Sequence, residues 1–252
     1  MHKYFNAAVD EHRFVSKHFK LLRLRPLSEA ADPEPGQFYM LQAGDTSDPL
    51  LKRPFSIFTR EDGTLSFLYR IRGKGTQSLA RFRQGDCIRV IGPLGNRYPV
   101  PQGDFIAVAG GIGIASLLSL LGRYPGSAHL FYGARSAEEL VMGEEAKRVA
   151  KEVVISTDDG SAGMRGTITD LLAVRLEMTT GPLLPLYACG PTPMLRELHR
   201  IVAKKGVRCD VSLEEHMACG VGACLGCVVK TTSGYRRVCK EGPVFDMEEL
   251  AW

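Results

Sequence analysis

Cys219, Cys224, Cys227 and Cys239 follow one another as C-x4-C-x2-C-x11-C. That is the thiolate order of a plant-type [2Fe–2S] cluster, with three ligands on one tight loop and a fourth returning from further along. The residues between the first three are small: Gly220, Val221, Gly222, Ala223, Leu225 and Gly226. Small residues let backbone N–H groups approach sulfur, and glycine supplies the positive φ angles such a wrap needs. The chemistry expected is transfer of single electrons. Rival uses of these thiols are weaker. A structural zinc site usually shows two C-x2-C knuckles, and here there is one. Disulfides belong to oxidising compartments, and the opening Met1-His2-Lys3-Tyr4-Phe5-Asn6 has no apolar signal core. His216 precedes the loop, but a Rieske centre needs two histidines, so it is read as a neighbour of the cluster or a surface residue.

The other three cysteines differ. Cys87, in the alternating run Cys87-Ile88-Arg89-Val90-Ile91, reads as a small core residue, and so does Cys209. Cys189, in Tyr187-Ala188-Cys189-Gly190-Pro191, ends an apolar strand. It reads equally as a buried thiol or as a residue beside a nicotinamide.

Two further segments can hold phosphate. Arg53-Pro54-Phe55-Ser56 offers a guanidinium for a bidentate grip and a hydroxyl for a ring nitrogen. The plain alternative is a strand start with a surface arginine. Tyr69-Arg70-Ile71-Arg72 runs into Gly73-Lys74-Gly75-Thr76, with Thr76 expected to cap a short helix through Ala80. Gly110-Gly111-Ile112-Gly113 follows an apolar strand and opens a helix, which suits a pyrophosphate. A strict G-x-G-x-x-G is not met, because Ser116 takes the third glycine's place, so a simple tight turn stays open. The next strand ends in Gly133-Ala134-Arg135-Ser136, with no acid for a ribose hydroxyl. Arg135 there could meet a 2′-phosphate, which leaves NAD against NADP open. Asp158-Asp159-Gly160-Ser161 reads as a ligand edge or an Asx turn. The histidines are scattered without a Ser–His–Asp or H-E-x-x-H pattern, and His199 reads as surface.

These residues need three supports. Residues 1–99 alternate over short runs such as Ser66-Phe67-Leu68-Tyr69-Arg70, split by turns such as Glu61-Asp62-Gly63, which predicts an antiparallel β-barrel. Residues 100–208 change to strand then helix, with strands at Phe105–Ala109, His129–Tyr132, Glu152–Ser156 and Pro185–Ala188. This predicts a doubly wound parallel α/β sheet. Residues 209–252 carry the cluster cysteines and are too few for a whole ferredoxin fold, so a small appended module is expected. Net charge is only +4, and no Lys/Arg run marks a nucleic-acid or membrane surface. The uncharged stretch 105–122 is broken by glycines and reads as buried strand, turn and helix, not a membrane span.

A nicotinamide exchanges two electrons as hydride, whereas an iron–sulfur cluster handles one at a time. A flavin can mediate between them. The R-P-F-S, G-K-G-T, G-G-I-G and C-G-P-T-P-M segments resemble the ferredoxin–NADP reductase superfamily. The tail, from Glu214-Glu215-His216-Met217 through Cys227 and from Arg237-Val238-Cys239 to Phe245, is similar to the electron-transfer subunits of NAD-dependent dihydroorotate dehydrogenases. Thr157-Asp158-Asp159-Gly160-Ser161 and Gly166-Thr167-Ile168-Thr169-Asp170 fit the same family.

By this resemblance Arg53, Pro54, Phe55, Ser56, Arg70, Ile71, Arg72, Gly75 and Thr76 would contact FAD. Cys219, Cys224, Cys227 and Cys239 would ligate the cluster, and the strand-end positions Gly110, Gly111, Gly113 and Cys189 are expected on the NAD side from their place in the turn and at the sheet edge. Phe55 departs from the superfamily's usual tyrosine, which removes one hydroxyl contact to the flavin. The resemblance implies a cytoplasmic oxidoreductase subunit of pyrimidine (UMP) biosynthesis. Its partner would be an FMN-containing catalytic subunit that oxidises dihydroorotate, in a heterotetramer of two copies each. Electrons would pass from FMN to the cluster, then FAD, then NAD+. Two other readings remain: an NAD(P)H-linked subunit serving a ferredoxin, sulfur reductase or oxygenase, and a zinc-stapled interaction protein.

Overall fold

The computed structural model describes residues 3–42, 44 and 48–252, so Met1 and His2, read above as lacking a signal core, lie outside the described residues. Seven strands form the first sheet: β1 (Lys3–Ser16), β2 (Phe19–Pro26), β3 (Phe38–Leu41), β4 (Arg53–Ser56), β5 (Thr59–Glu61), β6 (Thr64–Arg70) and β7 (Cys87–Leu94). They run antiparallel in the order β4-β3-β7-β1-β2-β6-β5. The sheet curls until Phe55 on β4 meets Tyr69 on β6, ring centroids 5.5 Å apart, as a barrel requires. Asp62 and Gly63 make the two-residue β5–β6 connection, with φ of 49° and 74°. That positive pair matches the twist of a hairpin. A short helix, α1 (Lys74–Leu79), links β6 to β7.

Period two divides the strand faces. On β3, Tyr39 and Leu41 join the barrel core with Leu22, Phe67 and Val90. Phe38 and Met40 point the other way, into the core shared with the C-terminal half. On β7 the same rule corrects the reading of Cys87: Ile88 and Val90 are inside, and Cys87 lies exposed with Arg89. Alternation was legible there, but its phase belongs to the sheet.

The second sheet comprises β8 (Phe105–Gly110), β9 (Ala128–Ala134), β10 (Glu152–Thr157), β11 (Met164–Arg165), β12 (Leu186–Cys189) and β13 (Cys209–Ser212), all parallel. A hairpin of β14 (Val228–Thr231) and β15 (Gly234–Arg237) follows, and then β16 (Val244–Asp246). β16 closes the order β11-β10-β9-β8-β12-β13-β16, antiparallel to β13. Helices α2 (Ile114–Arg123) and α3 (Gly143–Val149) cover one face. Helices α4 (Ile168–Met178) and α5 (Thr192–Lys205) cover the other. Strands covered on both faces read as continuous apolar runs, and all of β8 and β12 is buried. The stretch 105–122 is therefore β8, a glycine turn and most of α2. Among the described residues no helix is long and apolar enough to cross a membrane.

The third segment is woven into the second sheet. β13 pairs with β12 on one side and β16 on the other, so a division at 208/209 falls between hydrogen-bonded strands. Residues between β13 and β16 leave the sheet and lie against the barrel. Asn96, just past β7, binds them on both sides: its Nδ2 donates to Glu241 O (2.9 Å) and Val244 O (2.7 Å), and its Oδ1 accepts from Val244 N (2.9 Å). The sequence showed where the cysteines are, but not where the strand ladder continues.

Candidate cluster and dinucleotide site

The cluster loop folds by left-handed turns at Gly220 (φ 72°), Gly222 (φ 83°) and Leu225 (φ 59°). These turns point N–H groups at sulfur. Val221 N donates to Cys219 Sγ (3.4 Å), Gly222 N to Cys239 Sγ (3.1 Å) and Cys239 N to Cys227 Sγ (3.4 Å). Cys239 N–H on Cys227 Sγ ties the inner two thiols together, and Cys219 and Cys224 form the outer two. The inner pair is buried, at 2% and 3% exposure. In the outer pair Cys219 is half-buried and Cys224 exposed. Two thiolates at each of two irons is what a [2Fe–2S] cluster takes. Burial opposes ionisation of Cys219, yet the N–H groups of Val221, Cys224 and Ala223 and the Cys224 thiol outweigh it and bring Cys219 down to about 6. Burial, together with Cys227, pushes Cys239 up to about 12. The donor set fits the cluster: four thiols, paired, with backbone donors aimed at sulfur.

The loop sits on the barrel. A Cβ on Gly220 would lie 2.6 Å from Met40 Cγ and 3.3 Å from Leu94 Cδ1. Met40 stands opposite Pro54 across β3 and β4. One strand spacing, about 5 Å, therefore separates the floor of the cluster loop from Arg53-Pro54-Phe55-Ser56.

The two phosphate-competent segments also meet. A Cβ on Gly75 would lie 2.5 Å from Arg53 Nε and 2.9 Å from its Cζ. Glycine at 75 is what lets the guanidinium lie against the start of α1, where Arg53 Nη1 also donates to Leu51 O (2.5 Å). Thr76 does not cap the helix, correcting the sequence reading: Gly73 holds that position and Thr76 lies in the first turn. Its Oγ1 accepts from Arg72 N (2.9 Å) and Gly73 N (3.2 Å), which holds the approach to the helix. Arg70 pairs with Glu139 of the second sheet's domain at 2.8 Å. Ile71 N donates to His18 O (2.8 Å) while its side chain packs on the barrel core, and Arg72 is exposed. Phe55 packs edge-on against Tyr69, whose hydroxyl meets His12 Nε2 at 2.8 Å. The pairing of Arg53 with Gly75 fits a flavin nucleotide's phosphates on the outer barrel.

At the carboxyl edge of the second sheet, the glycines of Gly110-Gly111-Ile112-Gly113 divide by role. A Cβ on Gly113 would lie 2.2 Å from Cys189 O, and one on Gly110 would lie 2.6 Å from Met194 Sδ. Both serve close packing of the first turn on the β12–α5 turn. A Cβ on Gly111, at φ 52°, would meet nothing within 4 Å, as at a ligand-facing position. Cys189 is 1% exposed and hydrogen-bonds Ser212. Burial, reinforced by the Glu214 carboxylate, pushes its thiol well above the usual range. Ser212 also hydrogen-bonds Tyr98, whose hydroxyl lies 3.2 Å from Ser116 Oγ. Asp159 forms an Asx turn, accepting from Ser161 N (2.9 Å) and Ser161 Oγ (2.6 Å). His216 is exposed, and the half-buried His199 ring stands 6.2 Å from that of Trp252. Asn96, Tyr98 and Ser212 went unread in the sequence. They belong to no spaced motif, and their partners are distant along the chain.

Comparison with known proteins agrees with this geometry. Residues 214–251 match the family model of the iron–sulfur cluster binding domain of dihydroorotate dehydrogenase B. A dihydroorotate dehydrogenase B (NAD(+)) electron transfer subunit from Desulforamulus reducens is 39% identical over 86% of this chain and 87% of its own. An electron transfer subunit homolog from Aquifex aeolicus is 39% identical over 97% of both chains. Among solved structures, a chain from the NADH-dependent reduced ferredoxin–NADP oxidoreductase, studied for flavin-based electron bifurcation, superposes with a TM-score of 0.86. It is 27% identical and covers 98% of this chain and 90% of its own. The ferredoxin reductase of carbazole 1,9a-dioxygenase shares the fold, with a TM-score of 0.69 at 23% identity over 82% of this chain and 67% of its own. With a barrel, a doubly wound sheet and a paired-thiol loop between them, this chain belongs to the family of electron transfer subunits of NAD(+)-dependent dihydroorotate dehydrogenase B.

Proposed function

We propose that this chain carries electrons from the FMN of a dihydroorotate-oxidising catalytic subunit to NAD+, by way of a [2Fe–2S] cluster and FAD. The observation that carries the reading is the seating of the cluster loop on β3, beside the R-P-F-S strand, which supports a path between two neighbouring redox stations. Cys219, Cys224, Cys227 and Cys239 hold the cluster. Arg53 and Gly75 form the phosphate seat for FAD, and Pro54, Phe55, Ser56, Arg70, Ile71, Arg72 and Thr76 shape its surroundings. Bound there, the flavin supplies the exchange between single electrons and hydride. Gly110, Gly111 and Gly113 shape the entry for the dinucleotide. Cys189, buried below this turn, would line the nicotinamide side. The working assembly is a heterotetramer of two copies of each subunit, in the cytoplasm, and contributes to pyrimidine synthesis.

The test is a reconstitution. Alone, this chain should pass electrons from NADH to artificial dyes and leave dihydroorotate untouched. Mixed with the FMN subunit it should form NADH from dihydroorotate. Dihydroorotate oxidation by this chain alone, or no NADH from the mixture, would refute the proposed path. A second reading, a subunit serving a ferredoxin-linked partner, draws on the 0.86 superposition with the ferredoxin–NADP oxidoreductase chain. Dye activity with no response to the FMN subunit would favour it.

A further inference from the structure

Arg237 and Glu241 lie at either side of the fourth cysteine, and their side chains turn back together under the cluster loop. Glu241 Oε2 accepts from Arg237 N (2.8 Å) and Arg237 Nε (3.0 Å), and Arg237 Nη2 also meets Glu241 Oε1. The remaining guanidinium nitrogen, Nη1, donates to Gly222 O (2.9 Å). Gly222 is the residue whose own N–H points at Cys239 Sγ (3.1 Å), in a left-handed conformation of φ 83°. A Cβ there would lie 3.0 Å from Lys240 Cβ and 3.4 Å from Arg237 Nη1. An unbroken contact thus runs from a carboxylate through a guanidinium and one glycine to a sulfur of the inner thiol pair. Arg237 and Glu241 are 34% and 25% exposed, so water screens the pair only in part.

We propose that Arg237 and Glu241 are positioning residues that set the reduction potential of the cluster in opposite directions. The inference rests on the cluster assignment above. Reduction adds one electron and so one negative charge. A guanidinium that holds an N–H on sulfur stabilises that charge and raises the potential. A neighbouring carboxylate opposes the charge and lowers it. Lys240 is exposed beside the same glycine and adds positive charge common to every variant compared. Arg236, the other cation of β15, directs Nη2 to Ser233 Oγ instead.

The opposite signs make the idea testable. Arg237→Gln, Arg237→Lys and Glu241→Gln are made in the full chain carrying its FAD and cluster. Iron content and visible bands are checked first, and the cluster midpoint is then followed by redox titration with EPR. Arg237→Gln should lower the midpoint, Glu241→Gln should raise it, and Arg237→Lys should recover much of the wild-type value. Loaded variants whose midpoints do not move, or move in the same direction, would overturn the inference, since a merely structural pair predicts no opposition. If Arg237→Gln fails to hold iron, Glu241→Gln decides: an unchanged or lowered midpoint defeats the proposal. Absence of iron from the wild-type protein would instead overturn the cluster assignment.

Discussion

At the scale of the residue, Arg53 and Gly75 test the flavin seat from two sides. Arg53→Ala should weaken FAD binding by about 1.5–3 kcal/mol, the scale of a lost charge-assisted hydrogen bond. Gly75→Ala should act in the same direction without removing the charge, because its Cβ would fall 2.5 Å from Arg53 Nε and displace a flexible guanidinium. FAD content after extensive dialysis, read beside thermal melting of the apoprotein, separates loss of flavin from loss of fold. Full FAD retention in Arg53→Ala would remove that residue from the phosphate seat. Cys224 provides the matching test of the cluster, being the exposed member of the outer thiol pair. Cys224→Ser should lose most iron and its visible bands while keeping FAD and NADH–dye activity, since hydride transfer to the flavin does not use the cluster. Both candidate sites could be read from the sequence at this scale, because spacing among cysteines and glycines is a property of the chain. The contact between Arg53 and Gly75 was not, because two separate motifs meet only when β4 and α1 are packed side by side.

At the scale of the element, the glycine turn after β8 combines two constraints that its motif alone did not separate. Gly113 lies against the backbone of Cys189, where an added Cβ would be 2.2 Å from a carbonyl oxygen that cannot rotate away. Gly113→Ala should therefore destabilise the second domain by about 1–3 kcal/mol or more, as overpacking does. Gly111→Ala meets no atom within 4 Å and pays only for its left-handed φ of 52°, about 1–2 kcal/mol. Urea unfolding of the two variants should rank Gly113→Ala as the more damaged. NAD+ titration should show Gly111→Ala as the one whose loss of affinity exceeds its loss of stability. Equal behaviour in both assays would mean that the turn serves packing alone.

At the scale of the molecule, the cluster segment belongs mechanically to both other parts. β13 and β16 anchor it to the second sheet, and Asn96 anchors it to the barrel exit through three hydrogen bonds of 2.7–2.9 Å. Asn96→Ala should cost about 1–3 kcal/mol of stability, because it leaves half-buried backbone groups without their partner. With FAD and iron still bound, it should also slow electron entry from the FMN subunit more than NADH–dye turnover. Stopped-flow reduction of FAD in the complex, set beside the dye assay, measures the two steps. Equal effects on both would mean that Asn96 does not hold the cluster in register with the flavin.

The sequence by itself determined the chemistry of this protein: four thiols at cluster spacing, a strand rhythm that changes near Phe105, and glycines where backbone must turn. Such features are local, because ligand spacing, φ preference and apolar period are set within a few residues. Tertiary structure decided the rest. It put Cys87 outside, made Thr76 a first-turn residue instead of a cap, ran β13 and β16 into the nucleotide sheet, and brought Asn96 to a segment nearly 150 residues away. Each of these outcomes depends on which strand pairs with which and in what phase. That choice is made by the free energy of the whole packed core, and no short stretch of chain contains it.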